Sequence, residues 1–408
     1  MRVEEFQNES LAGTEITKIG DPKDDDISGM TPAQLEEAKA IGRRELIASL
    51  LGRALDLVYL VSMVVLIAQP DSGYMLWLKG FSDSSTVQLT LLTASIITGN
   101  LLVSFPLSLY AGHILQHQYH LSRQSFLQWI WRKAKGFFLE MIFSLVLVII
   151  LYWIIWMTQG WWWLVAAVGF FFLSVVLGQL APVLILPIFY KIKLLDPTDQ
   201  QGPELNRIFK QLTGGTGLSV EGVYRMDLSA ETNKANAMLA GLGRTRRVIL
   251  ADTLLDHFSL DEIAVIFAHE VGHHVHHHIR KMILFGGVYS LTAFYLCDLV
   301  VRRWLEDTGV VANGLDYANL PIFVLPVLLL TIHLFSTLLE PLQNSLSRHF
   351  ERQADRFAID VTQHREAYLS AFSKLAKQNK DDPRPHRLEV LLFHSHPPIA
   401  ERIAMARY

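Results

Sequence analysis

The sequence predicts a mainly α, polytopic membrane protein of about six spans, with a small α+β unit between the fourth and fifth. Three observations lead there. Of the 408 residues, 51% are hydrophobic and only 18% charged, against roughly 25% charged in a soluble domain. Six apolar runs are long enough to cross roughly 30 Å of hydrocarbon. Between the fourth and fifth, residues 191–281 turn polar, alternate like strands in places, and end in a stretch of helical period.

Residues 1 to about 30 are polar and acidic, closing on DPKDDDISG, with no apolar run of the signal-peptide kind. Thr31 is placed to cap a helix that has Pro32 in its first turn and Gln34 at capping-box spacing. Residues 1–46 therefore read as a polar tail and an amphipathic surface helix. The spans lie near 47–69, 88–112, 137–158, 161–190, 282–301 and 318–339. The run 88–112 is free of charge, as is 161–190, which Pro182 and Pro187 bend. Arg53, Asp56 and Asp298 intrude on the first and fifth. Trp153, Trp156 and Trp161–Trp163 ring a short connection, as in an interfacial aromatic belt. Residues 47–190 thus hold four spans, 191–281 the insert, 282–339 two spans, and 340–408 a helical tail, with helices over Leu342–Val361 and near 364–379.

Inside the insert, Leu195-Asp196-Pro197 and Gly202-Pro203 open a helix to about Leu212, which Gly214-Gly215 close. Leu218–Met226 alternates as a strand does, and Asn236–Ala240 and Arg247–Ala251 flank the hairpin signal Gly241-Leu242-Gly243-Arg244. Asp261–Lys281 reads as one helix.

A net charge of −3 without a basic domain argues against a nucleic-acid partner. The single cysteine, Cys297, rules out a disulfide framework or a Cys-rich metal site within the chain, so any metal is held by histidines and carboxylates. Segment 113–136 carries Arg123, Arg132, Lys133 and Lys135 and no acid, which makes it cytoplasmic, although Arg302 and Arg303 run against the rule. An even span count then puts both termini and the insert on the cytoplasmic side.

The helix contains HEVGH. His269 and His273 lie about 40° apart on one face, one turn removed, so both can grip one metal ion while Glu270 sits beside a water. His276 and His277 lie one turn further on, but only the first pair brackets a glutamate; for His274, His276 and His277 solvated side chains are the plainer reading. A catalytic zinc takes three protein ligands and keeps a position open. Glu351 and Asp355, four apart in SRHFERQAD, share a helix face. Glu351 can complete a His2Glu set, and Asp355 can accept from the far nitrogen of a ligand histidine. An ordinary charged helix, with Arg348 and Arg352 pairing along it, is the alternative.

AHEVGHHVHHH, then SRHFERQAD, then HSHPPIAER resembles the integral-membrane zinc metallopeptidases, the family of the type I CAAX prenyl protease and bacterial membrane-stress proteases. The likeness runs from about Pro106 to Arg402; HExxH alone is generic, and the combination is specific. It implies a gluzincin-like unit with one catalytic zinc ion on His269, His273 and Glu351, Glu270 as base, and Asp355 behind a ligand histidine. It makes His396 the oxyanion donor and Arg402 a support for the oxyanion or the substrate. Asn236, Ala237 and Met238 fall on the family's substrate edge strand, where a peptide adds by main-chain hydrogen bonds. His278 matches a histidine the family often carries, with no ligand role implied. The prenyl protease resembles a ring of seven spans around a water-filled chamber; this chain offers six. His333, Ser336 and Thr337 either line such a chamber or pack between helices.

The expected function is a zinc-dependent membrane endopeptidase, CAAX-prenyl-protease-like. Its substrate is a peptide or protein, lipidated or membrane-embedded, met at the cytoplasmic face of a bacterial inner membrane or the endoplasmic reticulum. A quality-control protease without prenyl specificity and a non-proteolytic zinc-binding scaffold are the alternatives.

Overall fold

Long apolar helices with exposed Leu, Val, Ile and Phe form a bundle, and the polar insert folds against one end of it. The computed structural model describes residues 29–195, 202–241, 246–309 and 316–407. The acidic tail, Asp196-Pro197 and the Leu242-Gly243-Arg244 part of the hairpin signal lie outside the described residues.

Helix α1, Pro32–Ile67, is capped as expected, with the Thr31–Gln34 capping box closed. The surface helix and the first span are one continuous helix rather than two elements. α2 (Gly73–Phe81) leads into α3 (Ser85–Leu109), a π turn over Tyr110–Ile114, and α4 (Leu115–Gln118). α5 (Phe126–Thr158) and α6 (Trp162–Leu184) follow, then α7 (Leu186–Phe189). Among the described residues, five helical stretches are long and apolar enough to cross a membrane. One of them, Phe126–Phe189, doubles back at Gln159, whose φ is 49°, and so supplies both α5 and α6.

The insert holds β1 (Ile192–Leu194), α8 (Gly202–Thr213), β2 (Gly222–Met226), β3 (Ala237–Ala240), β4 (Arg247–Ala251), α9 (Asp252–His257) and α10 (Leu260–Val275). The sheet order is β1-β2-β4-β3, antiparallel except for β2 on β4. Ala237 faces Leu250 and Ala240 faces Arg247, so β3 is the far strand and, among the described residues, presents a free edge. Val248–Ala251, Leu254, Ile263 and Phe267 bury the sheet face against α8 and α10.

The remaining elements are α11 (His278–Asp307), α12 (Leu325–Thr362), α13 (Arg365–Asn379), α14 (Arg387–Phe393) and α15 (Ile399–Arg407). Here the structure corrects two boundaries. The helix expected over Asp261–Lys281 breaks at His276-His277, where His277 takes φ 56°, and the span helix starts afresh at His278. The sixth span and the helix expected over Leu342–Val361 are one rod, α12, which runs through Pro341.

Each of the six long helices packs on two neighbours, in the order α1, α3, α5, α6, α11, α12 and back to α1. Among the described residues the ring closes without a seventh member. Its main apolar core, around Tyr152, Trp162, Phe294 and Phe323, gathers helix ends away from the insert. Asp298, an apparent intruder, is buried there and accepts from Trp162 Nε1 (2.7 Å), Tyr317 Oη (2.5 Å) and Arg302 Nε (2.8 Å). At the other end the basic loop after α4 docks on the insert. Thr232 Oγ1 donates to the Leu121 carbonyl (2.7 Å) and Arg123 N–H to that of Glu231 (2.9 Å).

Candidate metal centre

Helix α10 starts with a capping box between Ser259 and Glu262, and the Glu262 carboxylate also takes Ser370 Oγ (2.5 Å) and Lys374 Nζ (2.7 Å) from α13. That fixes the helix at its outer end. At its inner end α10 lies against α12 so closely that a Cβ on Gly272 would stand 2.9 Å from the Ala354 Cα. A glycine inside HEVGH therefore sets how near the two helices come. The approach carries His269 and His273 up to Glu351 and Asp355.

One ligand atom from each of His269, His273 and Glu351 lies within 4.8 Å of the others, the one such group among the described residues. The two Nε2 atoms are 3.2 Å apart and stand 3.2 and 3.3 Å from the Glu351 oxygens. His269 Nδ1 faces Asp355 Oδ1 at 2.8 Å, and His273 Nδ1 faces His278 Nδ1 at 2.9 Å. With its Nδ1 proton given to Asp355, a neutral His269 turns an Nε2 lone pair inwards. Glu351 adds lone pairs of its own, and its Oε2 is buried without a hydrogen-bond partner. With the His269 ring neutral, acceptors crowded at such distances repel until a cation, a proton or a metal ion, sits among them. Two imidazoles and one carboxylate are the donor set of a catalytic zinc.

Burial works against a charge on His269, but the Asp355 carboxylate outweighs it and holds the ring's pKa up at about 9. A metal therefore displaces a proton on binding. Arg402, on α15, is buried and sends Nε (2.9 Å) and one terminal nitrogen (2.6 Å) to Asp355. Burial disfavours its charge too, and Asp355 more than restores it. The resemblance offered Arg402 an oxyanion or a substrate; in this geometry its fork is committed to Asp355, behind His269. His396 lies on the open side, 62% exposed at its side chain, with Nε2 3.6 Å from Glu351 Oε1.

Glu270 is half-buried and opens into a cavity of about 520 Å³, whose wall includes His273, Glu351 and Leu239 of β3 together with Phe171, Val175, Met282 and Ile283 of the membrane helices. Of the three expected substrate residues, Asn236 is exposed and uses its carbonyl on Ala251 N–H (2.9 Å), while Ala237 and Met238 are half-buried against the sheet core. The edge residue that reaches the cavity is Leu239. The surplus histidines stay out of the cluster: His274 Nδ1 pairs with Arg246 (2.8 Å), His276 packs near Phe357, and His277 makes the turn. In α12, His333 is half-buried and Ser336 bonds Tyr289 of α11.

Sequence reasoning missed what Arg348 and Gly272 do. Arg348 is buried on α12 and donates to the carbonyls of Val390 and His394, both at 2.7 Å, while Arg352 pairs with Glu401 at 2.5 Å. Neither arginine pairs along its own helix; together they strap the His396 segment over the site. An arginine on the Glu351 face was the available signal for the first, and a glycine in mid-helix for the second.

Comparison with known proteins gives the family and the fold. Residues 199–408 match the sequence profile of peptidase family M48, and residues 27–191 match that of the CAAX prenyl protease N-terminal region, described as five membrane helices. An uncharacterized metalloprotease of Bacillus subtilis is 28% identical over 394 residues, covering 94% of this chain and 87% of that one. CAAX prenyl protease 1 of Saccharomyces cerevisiae is 26% identical over 347 residues, covering 80% and 74%. The crystal structure of S. mikatae Ste24p superposes with a TM-score of 0.78 at 19% identity, over 96% of this chain and 93% of that one, a likeness of fold.

Proposed function

This chain belongs to peptidase family M48 and is a membrane metalloendopeptidase, and from that premise we propose that His269, His273 and Glu351 hold one catalytic zinc ion. The observation that carries the assignment is the trio of acceptors turned towards one another, with Glu351 Oε2 buried and unpartnered. Zinc, when bound there, supplies Lewis acidity to a scissile carbonyl and to water. Glu270, half-buried at the cavity wall, takes the water's proton on its carboxylate and later passes it to the leaving amine. His396, exposed on the open side with its Nε2 3.6 Å from Glu351 Oε1, donates to the oxygen that gains charge. Asp355 keeps His269 oriented and Arg402 keeps Asp355 ionised.

The substrate lies extended along the free edge of β3, from Asn236 through Met238, with main-chain hydrogen bonds as in strand addition. Half of the cavity wall is membrane helix, which favours a lipidated or membrane-embedded peptide, as the prenyl protease relatives suggest. The active site then lies at the cytoplasmic surface, on the side of the basic loop that docks on the insert.

The test is a pair of measurements on the purified protein. Glu270→Ala is expected to keep its zinc and lose cleavage by about a hundredfold or more; undiminished cleavage refutes the mechanism and favours the scaffold alternative. A farnesylated peptide is expected to be cut faster than its unprenylated twin, and equal rates favour a quality-control protease.

A further inference from the structure

We infer that His278 and Gln353 are positioning residues for His273, through a neutral relay that fixes its tautomer; the inference rests on His273 being a metal ligand. The two ligand histidines are held in different ways. His269 leans on a charged pair, Asp355 with Arg402. His273 has no carboxylate at its Nδ1. That atom faces His278 Nδ1 at 2.9 Å, His278 Nε2 faces Gln353 Oε1 at 2.9 Å, and Gln353 Nε2 faces His349 Nε2 at 3.2 Å.

Each contact needs one donor and one acceptor, and the amide sets the sense of all of them. Gln353 Oε1 only accepts, so His278 carries its proton on Nε2. A neutral His278 then offers a lone pair at Nδ1, and His273 must donate from its own Nδ1. His273 Nε2 is left as a lone pair, turned towards Glu351. The Gln353 amide donates onward to exposed His349. Three links are consistent with every ring neutral, and no proton has to be shared.

The break in the α10–α11 chain makes this possible. On a straight helix a residue five positions on lies about 140° away from His273, on another face. With His277 at φ 56°, His278 comes back against His273 instead. There it is 3% exposed and stacks on Phe350, ring centres 4.3 Å apart and planes at 12°. Phe350 adjoins Glu351, so one turn of α12 holds a ligand and the stack that seats the relay.

Zinc affinity by chelator competition and the absorption spectrum of the cobalt-substituted full-length protein test this. His278→Phe keeps the stack and removes the acceptor; zinc should bind about ten- to a hundredfold more weakly, with an altered cobalt spectrum. His278→Asn returns an oxygen where Nδ1 stood and should recover most of both. Gln353→Leu, which leaves the His278 stack intact, should weaken zinc by a smaller factor and serves if His278→Phe does not fold. Wild-type affinity and spectrum in His278→Phe, or in Gln353→Leu where that stands alone, overturn the inference. So does a His278→Asn protein as weak as His278→Phe, which would make the role one of packing. His273→Ala runs in parallel: full zinc there overturns the ligand assignment itself, whereas zinc lost there but kept in His278→Phe overturns the relay alone.

Discussion

Two buried aspartates in this protein have equally full complements of partners and opposite meanings. Asp298, inside the helix ring, takes Trp162, Tyr317 and Arg302. Asp355, behind the metal centre, takes His269 and both prongs of Arg402. Around Asp298 the network closes, since every donor ends on the carboxylate. Around Asp355 it passes through His269 and ends on lone pairs facing Glu351. A closed polar network contributes to holding a fold together, whereas one that ends in excess acceptors calls for a cation. Counting donors against acceptors separates the two without reference to motifs.

Substitutions that treat the networks alike should therefore give opposite results. Glu351→Gln gives the two Nε2 atoms an amide donor, so metal affinity should fall by more than the roughly hundredfold that outer partners are worth, and cleavage with it. Above about pH 9, where His269 is neutral, the metal-free variant should melt no lower than wild type, because a buried unpartnered oxygen has been removed. A large drop in its melting temperature would show the site network to be closed after all. Asp298→Ala leaves the buried Trp162 and Tyr317 donors without an acceptor, whereas exposed Arg302 can turn to water. It should cost about 1–3 kcal/mol of stability for each stranded donor, while zinc stoichiometry in the surviving folded protein stays at that of wild type. Loss of zinc there would mean that the two networks are coupled.

The sequence disclosed these two regions unequally. The six long helices were legible because lipid demands uninterrupted apolar runs, and His269, Glu270, His273, Glu351 and Asp355 because helical spacing stacks them. What spacing could not show is whatever crosses between distant segments. Asp298 looked like an impurity in the fifth span, since its partners Trp162 and Tyr317 come from other elements. The turn at His277 reads in sequence as more of the same helix, because a histidine at positive φ leaves no mark on periodicity. Gly272 reads as a weak point, yet it is where α10 and α12 touch. Gly272→Ala should force those helices apart and cost about 1–3 kcal/mol, with a parallel loss of metal affinity; an unchanged affinity would mean that the helices slide without moving the ligands.

Glu262 sharpens the comparison from a third position. Its network closes like that of Asp298, on Ser259 N–H, Ser370 and Lys374, but Lys374 is half-exposed. Burial raises the carboxyl's pKa, and the Lys374, Ser370 and Ser259 hydrogen bonds bring it below its ordinary value. A carboxylate depressed in the folded state contributes stability that is fully present above its unfolded pKa of about 4.3 and is lost as pH falls through the folded value. Solvent screening at Lys374 limits that contribution to about 1 kcal/mol. Glu262→Gln keeps the acceptor for the Ser259 amide and cannot ionise. Melting of the metal-free proteins should show wild type above the variant at pH 6 and the gap narrowing as pH falls below about 4.3. Subtracting the variant cancels the carboxylates of the metal centre, which titrate in both. A gap that does not narrow as pH falls below about 4.3 would assign the stability to packing of α10 on α13 and remove charge from the account of this network.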